Sequence, residues 1–249
     1  MIPKRLSSIR IALMLIIAVP FINSAFRSDR VPVTGLQVET KKTASGNTYT
    51  IFYKNNLAMD VALKRPDKND RNILLCIPGA YTDLRTLGVD GLFIDNGTVI
   101  NKNKVNYTLG GAIKIVKGEC TIFPTNKGKL LNDSLVNILV AQKGSLFQQI
   151  QMVEKGVGAK YKDVKLFQRR AIVKLKGNKT AVIESYEHIK LAVFTADLLE
   201  LGAVDALYTD MGAWDEGWYK DPASGKAVTI GRMKTQTDKQ CNWVVFKTN

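Results

Sequence analysis

The chain has 249 residues, with 36 Lys or Arg against 22 Asp or Glu, a formal net charge of +14. Its 45% apolar content is ordinary for a globular protein, and no segment is repeated or low-complexity, which excludes disordered and solenoid architectures. One histidine and three cysteines without CxxC spacing exclude a histidine-rich metal site, a zinc site and a disulfide framework.

The first predicted element is a secretory signal over residues 1–25. Lys4, Arg5 and Arg10 precede an apolar run from Ile11 to Ile22, and Asn23-Ser24-Ala25 offers small residues for cleavage. The run is shorter than the roughly 18 residues of a membrane span. No stable span is therefore expected after cleavage, and the protein reads as secreted, periplasmic or of the cell envelope, an uncleaved anchor being the alternative. Residues 26–47 form a polar lead-in, and 48–249 a single domain.

Within that domain, YTIFY and MDVAL flank a turn at Lys54-Asn55-Asn56, so Tyr49–Lys64 reads as strand, turn, strand. A charged loop follows from Lys64 to Asn72. The short apolar run Ile73–Ile77 predicts a buried strand, broken by Pro78-Gly79. Asn96-Gly97 predicts a tight hairpin within Gly91–Ile100. Further strands are expected over Gly111–Val116, Val136–Gln142, Gln149–Val153, Arg170–Leu175 and Thr180–Ser185, the last two joined by Gly177-Asn178. A helix is possible between Asp133 and Gly144, but its LVNILVA core favours a strand. One helix is well signalled: Ile189, Ala192, Val193, Ala196 and Leu199 recur at helical spacing, with Ser185 as N-cap and Gly202 as stop. The sum is an α+β fold: a strand-rich mixed sheet with few helices. Cys76 and Cys241 fall in apolar strand-like runs and read as buried free thiols.

The stretch LLELGAVDALYTDMGAWDEGW, Leu198–Trp218, is the richest in chemistry. A helix ends at Gly202, a strand runs over Ala203–Tyr208, and a turn then carries Asp210, Asp215 and Glu216. Carboxylates just past a buried strand lie where ligands commonly bind, or else in a solvated loop. Arg169-Arg170, at the mouth of another strand, offers guanidinium forks suited to phosphate or carboxylate. Strand alternation allows only one of the two to point inward. A Ser–His–Asp triad would have to use His188, which as the lone histidine reads more simply as a capping or surface residue. Gly110-Gly111 and Gly156-Val157-Gly158 lack the strand–glycine–helix context of a phosphate loop and read as turns. The lysines are scattered without aromatic interleaving, so no nucleic-acid partner is expected.

Taken in order, these segments resemble the phosphodiester glycosidase family. Its Asn-Gly-Gly-Phe-Phe corresponds to Pro78-Gly79-Ala80-Tyr81, and its Gly-Leu-(Val/Ile)-Ile…Asn-Gly hairpin to Gly91-Leu92-Phe93-Ile94-Asp95-Asn96-Gly97. Gln148–Val153 is similar to the family's Gln-x-x-Pro-Met-Leu-Val, and Arg169–Val173 to its Arg-Thr-Ala-Ile-Gly. Leu199–Asp215 resembles its segment ending Leu-Asp-Gly-Gly-Gly-Ser-Ser, with Leu201-Gly202-Ala203, Ala206-Leu207 and Asp210 in place. Two departures stand out: Pro78 replaces asparagine, and Met211-Gly212-Ala213-Trp214-Asp215 replaces the small glycine–serine turn.

The resemblance implies hydrolysis of a sugar-1-phosphodiester in an anionic sugar phosphate or phosphoglycan. A phosphomonoester is a good leaving group that wants cationic stabilisation, implying Arg169, with Arg170 beside it. The oxocarbenium-like sugar wants a carboxylate as nucleophile or base, implying Asp210, with Asp215 and Glu216 as alternatives for that role. Substrate contacts are implied for Arg170, Tyr81, Gly212, Trp214, Asp215 and Glu216. No cofactor or metal is expected, although the acids also form an all-oxygen donor set suited to Ca²⁺. A non-catalytic phosphoglycan-binding envelope protein and a basic envelope scaffold are the alternatives.

Overall fold

The computed structural model describes residues 35–101, 104–212 and 214–248; the signal segment lies outside them. The strands form three sheets in place of a single mixed one, and every pairing between neighbours is antiparallel. The first sheet sets side by side Gln37–Lys42, Thr48–Tyr53, Lys179–Ser185, Arg170–Leu175, Ala203–Tyr208, Gln151–Glu154 and Val157–Gly158. The second runs Ala227–Ile230, Gly217–Lys220, Ile73–Pro78, Trp243–Lys247, Ala58–Ala62. The third runs Thr98–Val99, Phe93–Asp95, Ser145–Gln149, Gly111–Val116, Glu119–Pro124. With two helices among the described residues, the fold is α+β and strand-rich.

Phe52, Leu75, Phe147, Ile172, Leu207 and Phe246, drawn from all three sheets, belong to one buried cluster. The opposite face of the first sheet packs Ala171, Val173 and Ala206 against Phe194 and Leu198 of the helix Leu191–Glu200. Both faces of the Arg170–Leu175 strand are thereby covered, which explains its near-continuous apolar run.

The two hairpins form as their turn residues dictate, with positive φ at Asn96 and Gly97 and at Gly177 and Asn178. The chain parts from expectation elsewhere. Asp133–Ala141 is a helix, not a strand: Asn132 caps it by accepting from the Leu135 N–H at 3.0 Å. Its buried residues are Val136 and Leu139, three apart, while Ile138 and Val140 are exposed; a strand would bury alternate residues. The second helix begins at Leu191, and Ser185 is not its cap but the last residue of a strand. Its buried stripe is Leu191, Phe194, Thr195 and Leu198, rotated so that the bulky side chains rather than Ala192 and Ala196 fill the core. Gly202, at φ +91°, ends it as the sequence indicates. Gln149–Val153 is split at Ile150 between the third and first sheets. The polar lead-in supplies the edge strand Gln37–Lys42, whose exposed residues leave no periodic signature. Cys76, Cys120 and Cys241 are free thiols, Cys241 only partly buried.

Candidate active site

The ends of two strands from different sheets converge at one point. Past Tyr208, the Asp210 N–H donates to the Gly79 carbonyl at 2.9 Å, and Asp210 Oδ2 accepts from the Thr82 N–H at 3.1 Å. Gly79 has no room for a side chain: a Cβ would fall 2.6 Å from Asn242 Oδ1. That amide brackets Ala80, accepting from its N–H at 2.7 Å and donating to its carbonyl at 2.9 Å. Gln240 completes the frame, accepting from Thr82 Oγ1 and from the Trp214 indole and donating to the Asn242 carbonyl. Pro78 brings no amide, but Asn242 brings one from the far end of the chain to the neighbouring residues. Neither Gln240 nor Asn242 is signalled in the sequence, since they stand in a polar stretch with no motif.

Asp210 is 5% exposed. Burial pushes its pKa up to about 7, against hydrogen bonds from Thr82 and Trp214 that lower it; the Asp215 charge adds to the rise. Beside it lies a phenol–guanidinium group. Arg169 Nη1 donates to the Tyr208 hydroxyl at 3.0 Å, Nε to the Ile189 carbonyl at 3.0 Å, and Nη2 to the Lys165 carbonyl and Asp163. The guanidinium also stands over the Phe167 and Tyr208 rings. Tyr81, half-buried, meets Tyr208 edge to face at 6.4 Å. Burial raises both phenols, with Tyr208 and Asp210 adding to the rise at Tyr81 and Arg169 opposing it at Tyr208. The group therefore presents one fixed cation, two neutral phenols and one readily protonated carboxyl.

Arg170 opens the strand that Arg169 immediately precedes, and it too points inward because the face it lies on is also covered. It is 0% exposed and ion-paired with Glu184; Nη2 donates to the Asp215 carbonyl at 3.1 Å, and Nη1 has no hydrogen-bond partner. Burial raises the Glu184 pKa and the Arg170 charge opposes the rise. A side chain so enclosed braces the acidic turn from behind.

The remaining acids are buried rather than solvated, and each has its own task. Asp215 Oδ1 accepts from the N–H groups of Arg232 and Met233 at 2.7 and 2.6 Å, fixing the loop at Gly231. Glu216 pairs with Arg65 at 2.6 Å and Lys68 at 3.1 Å and accepts from Thr237. Burial raises its pKa, but these partners outweigh burial and hold it below the usual carboxylate range. Among the described residues no three acid, cysteine or histidine side chains converge as a metal-ligand set. Trp214 and Trp218 are buried. Gly212 lies close to Asp210; a Cβ there would stand 3.6 Å from Oδ1. His188 is exposed ahead of the helix. Asp210, Tyr81, Tyr208 and Arg169 are thus brought together, while Arg170, Asp215 and Glu216 are engaged in buried contacts of their own.

No protein-family profile and no curated protein matches the sequence. The fold belongs to a class already represented among solved structures. It is similar to the zebrafish N-acetylglucosamine-1-phosphodiester alpha-N-acetylglucosaminidase catalytic domain, auto-inhibited by its pro-peptide. The TM-score is 0.58 at 13% identity, over 86% of this chain and 82% of that one. A hypothetical protein from Synechocystis is similar with a TM-score of 0.59 at 10% identity, over 85% of this chain and 62% of that one. At these identities the likeness is one of fold.

Proposed function

We propose that the protein is an exported hydrolase of the glycosidase type that cleaves a sugar-1-phosphodiester in a phosphoglycan. The observation that carries this reading is Asp210: a buried carboxyl at the junction of two sheets, with a pKa near 7, beside Arg169 and two phenols. A general base or nucleophile poised near neutrality suits attack at an anomeric carbon. One carboxylate suffices because the departing phosphomonoester needs little protonation. Arg169 acts as a fixed positive charge toward the leaving group, with its direction set by Tyr208. Tyr81, the half-buried ring of the group, faces the sugar. Gly212 and Trp214 shape the turn around Asp210.

Similarity of fold to the zebrafish enzyme supports the reaction class. A second reading, a protein that binds phosphoglycan without cutting it, draws on Pro78, which offers no side-chain amide, and on Trp214, whose buried bulk occupies the turn beside Asp210. Incubation with a panel of sugar-1-phosphodiesters separates the two. Turnover by the wild type that falls about 10²–10⁴-fold in Asp210→Asn supports the hydrolase. Binding of the same compounds without turnover supports the binder.

A further inference from the structure

We propose that the segment 155–167 is a docking element for an anionic lipid surface. It turns at Lys155-Gly156, returns as the edge strand Val157–Gly158 of the first sheet, and then runs without regular structure to Phe167. Its backbone is tied down along its length. The Ala159 N–H donates to the Met152 carbonyl at 2.9 Å, the Tyr161 hydroxyl to the Gln151 carbonyl at 2.6 Å, and Arg169 to the Lys165 carbonyl at 2.9 Å. Phe167 and Ile189 exchange backbone hydrogen bonds at the far end. The segment is therefore ordered in advance of any partner, which lowers the entropic cost of docking.

What it turns outward is unusual for a surface loop. Val157, Val164 and Leu166 are 70%, 73% and 56% exposed, and Lys155, Lys160, Lys162 and Lys165 are exposed among them. The single acid, Asp163, is taken up by Arg169 at 3.3 Å. No lysine of the segment is ion-paired among the described residues. Aliphatic side chains interleaved with unpaired lysines complement an interface that is apolar below and anionic above. A soluble polyanion would engage the lysines and leave the aliphatics unused. Either signal alone gives weak attachment, and the two together give a stable one. The inference stands independently of the chemistry assigned to Asp210.

The test uses the full chain, so that the N-terminal segment is common to every sample, with vesicles of phosphatidylcholine alone or mixed with phosphatidylserine. The expected result is binding to the mixed vesicles that weakens with salt and falls on the order of 100-fold in Lys160→Gln/Lys162→Gln/Lys165→Gln. Leu166→Trp reports insertion directly. Trp214, Trp218 and Trp243 are buried and form a constant background, so a blue shift on mixed vesicles belongs to position 166. Wild-type affinity in the triple variant, or no shift at Trp-substituted 166, overturns the proposal. So does tight binding to dextran sulfate with none to vesicles, which would make the surface a glycan-binding one. Unchanged melting temperatures keep these outcomes separate from misfolding.

Discussion

Burial lifts the Asp210 carboxyl from 3.8 to about 7, a shift that bears on stability as well as reactivity. The folded state prefers the protonated acid, so Asp210 contributes stability in full below about pH 4, and that contribution is lost as pH rises through about 7. Asparagine keeps the shape and still accepts from Thr82. Asp210→Asn is therefore expected to melt above the wild type at pH 9, with the difference vanishing toward pH 4. A pH-independent difference would show that the carboxyl is not shifted. At Gly79 the contact is steric: Gly79→Ala drives a Cβ toward Asn242 Oδ1 and is expected to cost about 1–3 kcal/mol in denaturant unfolding. Asp210 and Arg169 were legible as single residues because acids past a strand and a basic pair at its mouth are locally unusual. Which groups would hold Asp215 and Glu216 was not, because the backbone N–H groups of Arg232 and Met233 and the side chain of Arg65 come from distant loops; Glu184 stands opposite Arg170 in the hairpin, but its burial is not visible in the sequence.

For elements, the helix Asp133–Ala141 and the buried Arg170–Glu184 pair give the sharpest tests. Leu139→Ala, on the buried face, is expected to cost about 2–5 kcal/mol, and Ile138→Ala, on the exposed face, within about 0.5 kcal/mol. A strand would put Ile138 on the buried face with Val136 and turn Leu139 away from it, so a larger cost at 138 than at 139 would contradict the helix. Arg170→Met leaves Glu184 buried without its partner and is expected to cost about 3–5 kcal/mol. Adding Glu184→Leu should recover most of that loss, as read from urea midpoints of the single and double variants. Elements carrying their own punctuation, such as Asn96-Gly97, Gly177-Asn178 and Gly202, were readable in the sequence. Val136–Val140 was misleading because β-branched and aliphatic residues fit either period, and only the capping contact of Asn132 and the packing of Leu139 decide it.

Across the whole molecule, the site arises where the Ile73–Pro78 end of one sheet meets the Ala203–Tyr208 end of another, under a clasp from residues 240–242. Nothing local encodes that meeting. Lys54–Asn56 looks like a simple turn, yet it carries the chain from the first sheet to the second. Ile150 likewise divides one apolar run between two sheets. The α+β class was thus legible from composition and periodicity, while the three-sheet arrangement rests on long-range pairing.

The central claim is that Asp210, ionised, performs the hydrolysis. The measurement that tests it most directly is the pH dependence of kcat/KM for a sugar-1-phosphodiester, wild type against Asp210→Asn. The account predicts wild-type activity that rises with pH and levels off above an inflection near 7, with the rise absent and the rate about 10²–10⁴-fold lower in the variant. Equal rates in the two proteins, or no turnover by the folded wild type, would contradict it.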